Sequence, residues 1–182
     1  MDDAANVEFL KKIADGNEAA MHDFFKVFAP IVYAFALNRL SEGADAADVV
    51  NDVMLQVWKN AHQFEARSKV KTWVLGIANF KILDVFRKRG RVQLDELDDQ
   101  IADDVLETGF SEIALEQDAK SIKHCMEKLS QNHRQVVHLA FFEDMAYPEI
   151  AETIDCPTGT VKTRMMHAKN NLKRCLQALQ AA

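Results

Sequence analysis

Proline occurs three times and glycine six times in 182 residues, so turns are few and helices can run long. Cysteine is equally scarce. Cys125, Cys156 and Cys175 are odd in number and never fall in a C-x-x-C pair. Neither a disulfide framework nor a zinc finger is expected, and the three read as reduced thiols. No apolar run approaches the ~18 to 20 residues that span a bilayer. The opening "MDDAANVEFL" is acidic where a secretory signal would be basic and then apolar, so a cytoplasmic protein without membrane insertion is expected. Signatures of bond chemistry are missing as well. His22, His62, His124, His133, His138, His167 and the three cysteines make no H-E-x-x-H or C-x-x-C, and no G-x-S-x-G occurs, so no metal, cofactor or catalytic nucleophile is expected.

What is present suits a small soluble protein. At 48% hydrophobic and 27% charged residues, the chain can bury one or two small cores. Periods near 3.6 dominate, which predicts an all-α fold. "DGN" at 15–17 separates a short first helix from a longer one that passes Pro30, and "SEGAD" at 41–45 is the next break. Asp45 is a candidate N-cap for a helix carrying Val49, Val50, Val53, Met54, Val57 and Trp58 on one stripe. Asp48, Asp52, Gln56 and Lys59 lie opposite.

Charge is distributed in blocks. Residues 1–66 hold 5 bases and 11 acids, 67–91 hold 8 and 1, 92–120 hold 1 and 10, and 121–182 hold 8 and 6, within a net charge of -6. The acidic block has weak periodicity and too little apolar content for a core, so it reads as a linker between two helical domains spanning 1–91 and 121–182. It is either a solvated spacer or a segment that competes with nucleic acid for a basic surface.

The stretch "YPEIAETIDCPTGTVKTRMMHAKNNLKR" predicts a helix-turn-helix. Pro148 suits a first helical turn, Ala151 is small where two helices cross, and Asp155 stands where the turn demands a residue tolerant of positive φ. Thr158 caps the second helix. Val161, Met165, Ala168, Leu172, Cys175 and Leu179 then form the buried stripe. Lys162, Thr163, Met166, His167 and Asn170 face outward, as in a recognition helix in the major groove. Arg164, Lys169, Lys173 and Arg174 are the phosphate candidates. Cys156 precedes that helix, where a helix N-terminus lowers a thiol pKa, and redox sensing is a minor reading of it.

The other basic block, "FEARSKVKTWVLGIANFKILDVFRKRGR", begins as a polar loop. It continues as a helix with Trp73, Ile77 and Phe80 on one face and ends in Arg87, Lys88, Arg89 and Arg91. Aromatics interleaved with bases suit a strand whose bases are unstacked; the competing reading of Trp73 and Phe80 is as ordinary core aromatics, and for Trp73 taken alone it is the stronger one. Gly76 interrupts the helix at a cost of ~1 kcal/mol relative to Ala, for close approach or for bending.

These pieces, in order, resemble an extracytoplasmic-function sigma factor, the compact two-domain branch of the bacterial sigma family. The stretches that carry the resemblance are "FFKVFAPIVYAFALNRL", "ADAADVVNDVMLQVWKNAHQFEARSKVKTWVLGIA", "ILDVFRKR", "LSQNHRQVVHLAFFEDMAYPEIAETI" and "PTGTVKTRMMHAKNNLKR". The resemblance implies core RNA polymerase, promoter DNA and an anti-sigma factor as partners. It assigns polymerase contact to Asp48, Asn51, Asp52, Gln56 and Trp58. It assigns -10 recognition and melting to Arg67, Ser68, Lys69, Lys71, Trp73, Asn79, Phe80, Lys81, Arg87 and Lys88. It assigns -35 recognition to Thr160, Lys162, Thr163, Arg164, Met166, His167, Lys169, Lys173 and Arg174. Two departures stand out: the family commonly has Arg-Asn where this chain has Asn79-Phe80, and many members carry Arg in place of His167. A stand-alone helix-turn-helix regulator is the alternative reading.

Overall fold

The computed structural model describes residues 3–90 and 117–180, and every regular element among them is helical. The N-terminal domain comprises α1 (Asp3–Ala14), α2 (Glu18–Leu40), α3 (Gly43–Asn60), a single 3-10 turn at Ala61–Gln63, and α4 (Val70–Lys88). The C-terminal domain comprises α5 (Gln117–Glu127), α6 (Gln131–Phe141), α7 (Tyr147–Thr153) and α8 (Thr158–Gln180). Most of the acidic block lies outside the described residues. Its last residues enter α5, which begins at Gln117 rather than after residue 120.

Local chemistry explains the breaks. Gly16 takes φ 80°, and the Asn17 side chain accepts the Ala20 N–H at 2.9 Å, so α2 starts with a capped first turn. Ser41 ends α2 in the left-handed region at φ 60°, its N–H returning to the Leu37 carbonyl. That reversal is so tight that α3 begins at Gly43, two residues before the expected Asp45 cap. Asp45 instead lies in the first turn and pairs with Arg89 at the end of α4. The α4 N-terminus is capped from afar: Asp3 Oδ1 of α1 accepts the Val70 N–H at 3.0 Å.

Phe24, Phe28, Val32, Phe35 and Ala36 bury one face of α2 against α3 and α4, with Val49, Val53, Val57, Val74, Ala78 and Ile82 facing them. Each such aromatic removes enough apolar surface to contribute about 1.5–3 kcal/mol. By length and composition α2 is apolar enough to cross a membrane, contrary to the expectation that no such run exists. Its buried face is accounted for by this core. The second domain closes around Leu129, Val136, Leu139, Ile150, Val161, Met165 and Ala168. The two domains also pack on each other, α6 against α2 and α7 against α4.

Cys125 and Cys175 form a disulfide with Cα atoms 5.7 Å apart, tying α5 to α8, whereas Cys156 is in no disulfide. This corrects the expectation of three reduced thiols. An odd count conceals one pair when the partners stand 50 residues apart and meet only after two helices pack.

Candidate nucleic-acid interface

The helix-turn-helix is built by its turn. Pro148 occupies the first turn of α7, and Glu149 reaches back to accept the Ala146 N–H at 2.8 Å. The chain leaves α7 through Asp155 at φ 52°, the left-handed residue the turn requires, and the Cys156 N–H returns to the Ala151 carbonyl at 3.0 Å. The Pro157 carbonyl then accepts from Thr160 and Val161 as α8 starts. Val161, Met165, Ala168 and Leu172 are buried, whereas Cys175 is only partly covered and Leu179 is exposed, because α8 runs past the end of its domain there.

On the other side of α8, Lys162, Thr163, Lys169, Lys173 and Arg174 are exposed, and Thr160, Arg164, Met166 and His167 are half-buried. The Thr163 hydroxyl donates to the Gly159 carbonyl at 3.1 Å, and the His167 ring lies 5.9 Å from that of buried His133. Among the described residues, none of Lys162, Lys169, Lys173 and Arg174 has an acidic partner. An outer face of unneutralised cations without carboxylates is suited to a phosphate backbone.

The basic surface of the N-terminal domain is arranged differently. Phe64 of the loop before α4 packs on Trp73 at 5.3 Å, Ala66 takes φ 54°, and Arg67 pairs with Glu65 at 2.7 Å on the open surface. Ser68 is half-buried in the same loop. Phe80 is 56% exposed, with the Arg87 guanidinium 5.9 Å from its ring and Arg87 itself bonded to Asp84. Lys81 is half-buried and Lys88 exposed. Trp73, Gly76, Ile77 and Phe80 line a cleft of about 410 Å³ on this side of α4, with Glu152 of α7 at its edge.

Three residues assigned to this surface face the other domain instead. Lys71 Nζ donates to Glu143, at 3.1 Å to the carboxylate and 2.9 Å to the carbonyl. Lys69 Nζ meets Glu149 at 2.7 Å. Asn79, 4% exposed, accepts from Arg39 at 2.9 Å and from Gln135 at 3.0 Å. Burial pushes the Glu143 carboxyl up, but the His138 imidazole 3.6 Å away and the hydrogen bond and charge of Lys71 outweigh it and hold the group below its ordinary value. Glu149 is likewise pushed up by burial and brought below its ordinary value by Lys69 and the Ala146 N–H. Lys69 is raised by its hydrogen bond to Glu149 and then by that residue's charge. No periodicity or spacing pointed to Gln135, Glu143 or Glu149, because contacts between domains leave no local pattern.

Along α3, Asp48, Asn51 and Asp52 are exposed, Gln56 is half-buried and Trp58 is 37% exposed. Beside them an apolar groove of about 510 Å³ runs between α2 and α3, lined by Phe25, Pro30, Tyr33 and Val50. Among the described residues no cluster of three or more His, Cys, Asp or Glu could hold a metal ion.

Both domains have counterparts among known proteins. The family profile Sigma-70 region 2 matches residues 24–92, and Sigma-70, region 4 matches residues 119–172. The ECF RNA polymerase sigma factor RpoE of Cereibacter sphaeroides is 30% identical over 175 residues, 92% of this chain and 93% of that protein. SigK of Mycobacterium bovis, also an ECF RNA polymerase sigma factor, is 24% identical across 92% of this chain and 91% of its own. Among solved structures, the sigma factor RpoE bound to the anti-sigma factor NepR, from Bartonella quintana, superposes with a TM-score of 0.63 at 28% identity, covering 85% of this chain and 97% of that one. CnrH bound to the cytosolic domain of CnrY shares the fold at a TM-score of 0.67 and 20% identity, covering 96% of this chain and 98% of that one. With both regions in order and a relative of this identity over nearly its whole length, the chain belongs to the ECF family of RNA polymerase sigma factors.

Proposed function

We propose that this sigma factor divides promoter recognition between its two domains, residues 1–91 reading the -10 element and residues 121–182 the -35 element, with the acidic segment 92–120 joining them. The chain performs no bond chemistry. It binds core RNA polymerase in the cytoplasm, directs it to a promoter and helps open the duplex, and the polymerase makes the RNA. The observation that carries the reading is the outer face of α8, where Lys162, Lys169, Lys173 and Arg174 stand exposed, without an acidic partner among the described residues, above a stripe buried at helical spacing. Lys162, Thr163, Met166 and His167 then meet base edges. Thr160, Arg164, Lys169, Lys173 and Arg174 meet phosphates.

The loop Arg67–Lys69, together with Lys71, Trp73, Phe80, Lys81, Arg87 and Lys88, receives the unstacked -10 strand, with the aromatic cleft beside α4 supplying stacking surface. Asn79 stays buried as a support of that surface. Asp48, Asn51, Asp52, Gln56 and Trp58 dock a basic element of polymerase. An anti-sigma factor is the expected inhibitor, a reading supported by the NepR complex of the Bartonella quintana relative and by the apolar groove between α2 and α3.

Run-off transcription tests the assignment. Purified protein with sigma-free core polymerase on genomic fragments should give discrete transcripts that disappear with the Lys162→Ala, Arg164→Ala double change. Absence of both transcripts and polymerase binding would reject the division of labour and favour a stand-alone DNA-binding role.

A further inference from the structure

One side chain on the outer face of α8 is braced from beneath. Lys162 and Thr163 are exposed, but His167 is half-buried, and its ring lies 5.9 Å from that of His133 with the two planes 30° apart. Near-parallel, offset rings with centroids about 4.5–7 Å apart attract one another beyond the area they cover. His133 itself is 2% exposed. It stands in the first turn of α6, where the Ser130 hydroxyl accepts its N–H at 3.3 Å, and α6 packs along α8. Backbone and burial together fix the ring on which His167 rests.

The chemistry of His167 makes that support matter. An arginine brings a planar fork that meets two acceptors of one base at once. An imidazole offers a base edge one ring nitrogen at a time, so what it reads depends on how the ring is held. Free about both side-chain torsions, the ring would have to be ordered when DNA arrives. With one face against His133, much of that ordering is complete beforehand. A leucine in place of His133 would be buried at lower desolvation cost, but it has no flat face for a second ring to lie on.

We propose that His133 is a positioning residue for -35 recognition. It holds the His167 imidazole toward the major groove, so that preference at one base pair depends on a side chain buried inside the domain. The proposal rests on α8 being the helix that reads the -35 element, as set out above.

Two measurements on the full chain test it. Holoenzyme selection from a duplex library randomised across the -35 region reads base preference, and nuclear Overhauser contacts between the two imidazoles in the free chain read the stack without polymerase. His167→Ala identifies the base pair His167 meets by lowering preference there about five-fold, as expected for one lost hydrogen bond. His133→Leu and His133→Gln, one apolar, one polar and neither with a ring, should each lower preference at that same base pair and at no other. His133→Phe, which restores a flat face, should recover most of it. In the His167→Ala background, His133→Leu should have no further effect there. Val136→Ala, a cavity in the core under the same helix, controls for lost stability: its thermal midpoint should fall while the preference is kept. Parent-like preference in folded His133→Leu or His133→Gln would overturn the proposal. So would an equal loss in Val136→Ala, or the absence of a ring-to-ring contact in the free parent. If the parent selects no -35 motif, or His167→Ala alters no position in it, the assignment of His167 to base reading is itself rejected and the positioning role falls with it.

Discussion

Asn79 and Gln135, 56 residues apart, share a 3.0 Å hydrogen bond between two buried side chains, one from each domain. The same Asn79 oxygen accepts from Arg39 at 2.9 Å, and Arg39 in turn lies 5.5 Å from the Phe86 ring. One amide oxygen thus links α2, α4 and α6, which explains a buried Asn at a position where the family pattern suggested a DNA contact.

Asn79→Leu removes that acceptor while keeping the volume. Withdrawing it from two buried donors should cost about 1–3 kcal/mol. Urea unfolding should show a lower midpoint, and an unchanged midpoint would mean that Arg39 and Gln135 find equivalent acceptors.

Much of this was legible because it is local. The αL residue Asp155, the first-turn Pro148 and the stripe Val161–Met165–Ala168–Leu172 follow from turn chemistry and a 3.6 period, and all occupy their expected places. The stripe failed at Leu179, where the period continues but no neighbouring helix remains to cover it. The Asp3 cap on α4, the Cys125–Cys175 bond and the Lys71–Glu143 pair were illegible for one shared reason. Each joins residues 50 or more positions apart, and their spacing has meaning only once the helices are packed.

Phosphate contacts on α8 should be visible as salt dependence. Each Lys or Arg that neutralises one phosphate steepens the slope of log K against log salt by about 0.9. Lys169→Ala and Lys173→Ala should each lower holoenzyme affinity for all promoters alike and flatten the slope by about that amount. Met166→Ala should leave the slope alone and relax the preference at one base pair. A sequence-dependent effect of Lys169→Ala would move that residue from backbone contact to base contact.

Acid should loosen the domain interface. The folded values of Glu143 and Glu149 lie below the ordinary 4.5. Their contribution is therefore complete above that value and is lost as pH falls through the depressed ones. Lys71 and His138 face Glu143, and Lys69 and the Ala146 N–H face Glu149. Lys69 is raised, so its part is complete below 10.5 and is lost only as pH rises through the higher folded value. The radius of gyration of the parent should increase as pH falls below the ordinary carboxylate value of 4.5. The Glu143→Gln, Glu149→Gln variant should show no such acid step, and an identical step in it would assign the transition to other groups.

Gly76 lies inside α4, where a Cβ would meet nothing within 4 Å. Close packing is therefore not its reason, and Gly76→Ala should stabilise the chain by about 1 kcal/mol through helix propensity. The new methyl projects beside the cleft of Trp73 and Phe80. Thermal unfolding should move up while promoter opening, read with a base-analogue fluorophore in the -10 strand, falls. A gain in stability with undiminished opening would remove the cleft from the strand site.

The Cys125–Cys175 bond closes a loop with a sequence separation of 50. Constraining the unfolded chain over that length should stabilise the C-terminal domain by up to about 4 kcal/mol, so reductant should lower its unfolding midpoint. Cys125→Ser should match the reduced parent and ignore reductant. Alkylation under denaturing, non-reducing conditions should modify Cys156 alone, and prior reduction should add the other two. Cys175 follows Arg174 on the far half of α8, away from Lys162 and Thr163 at its start, so reduction should change stability more than -35 affinity. Three alkylated thiols in protein purified without reductant would show the pair to be open.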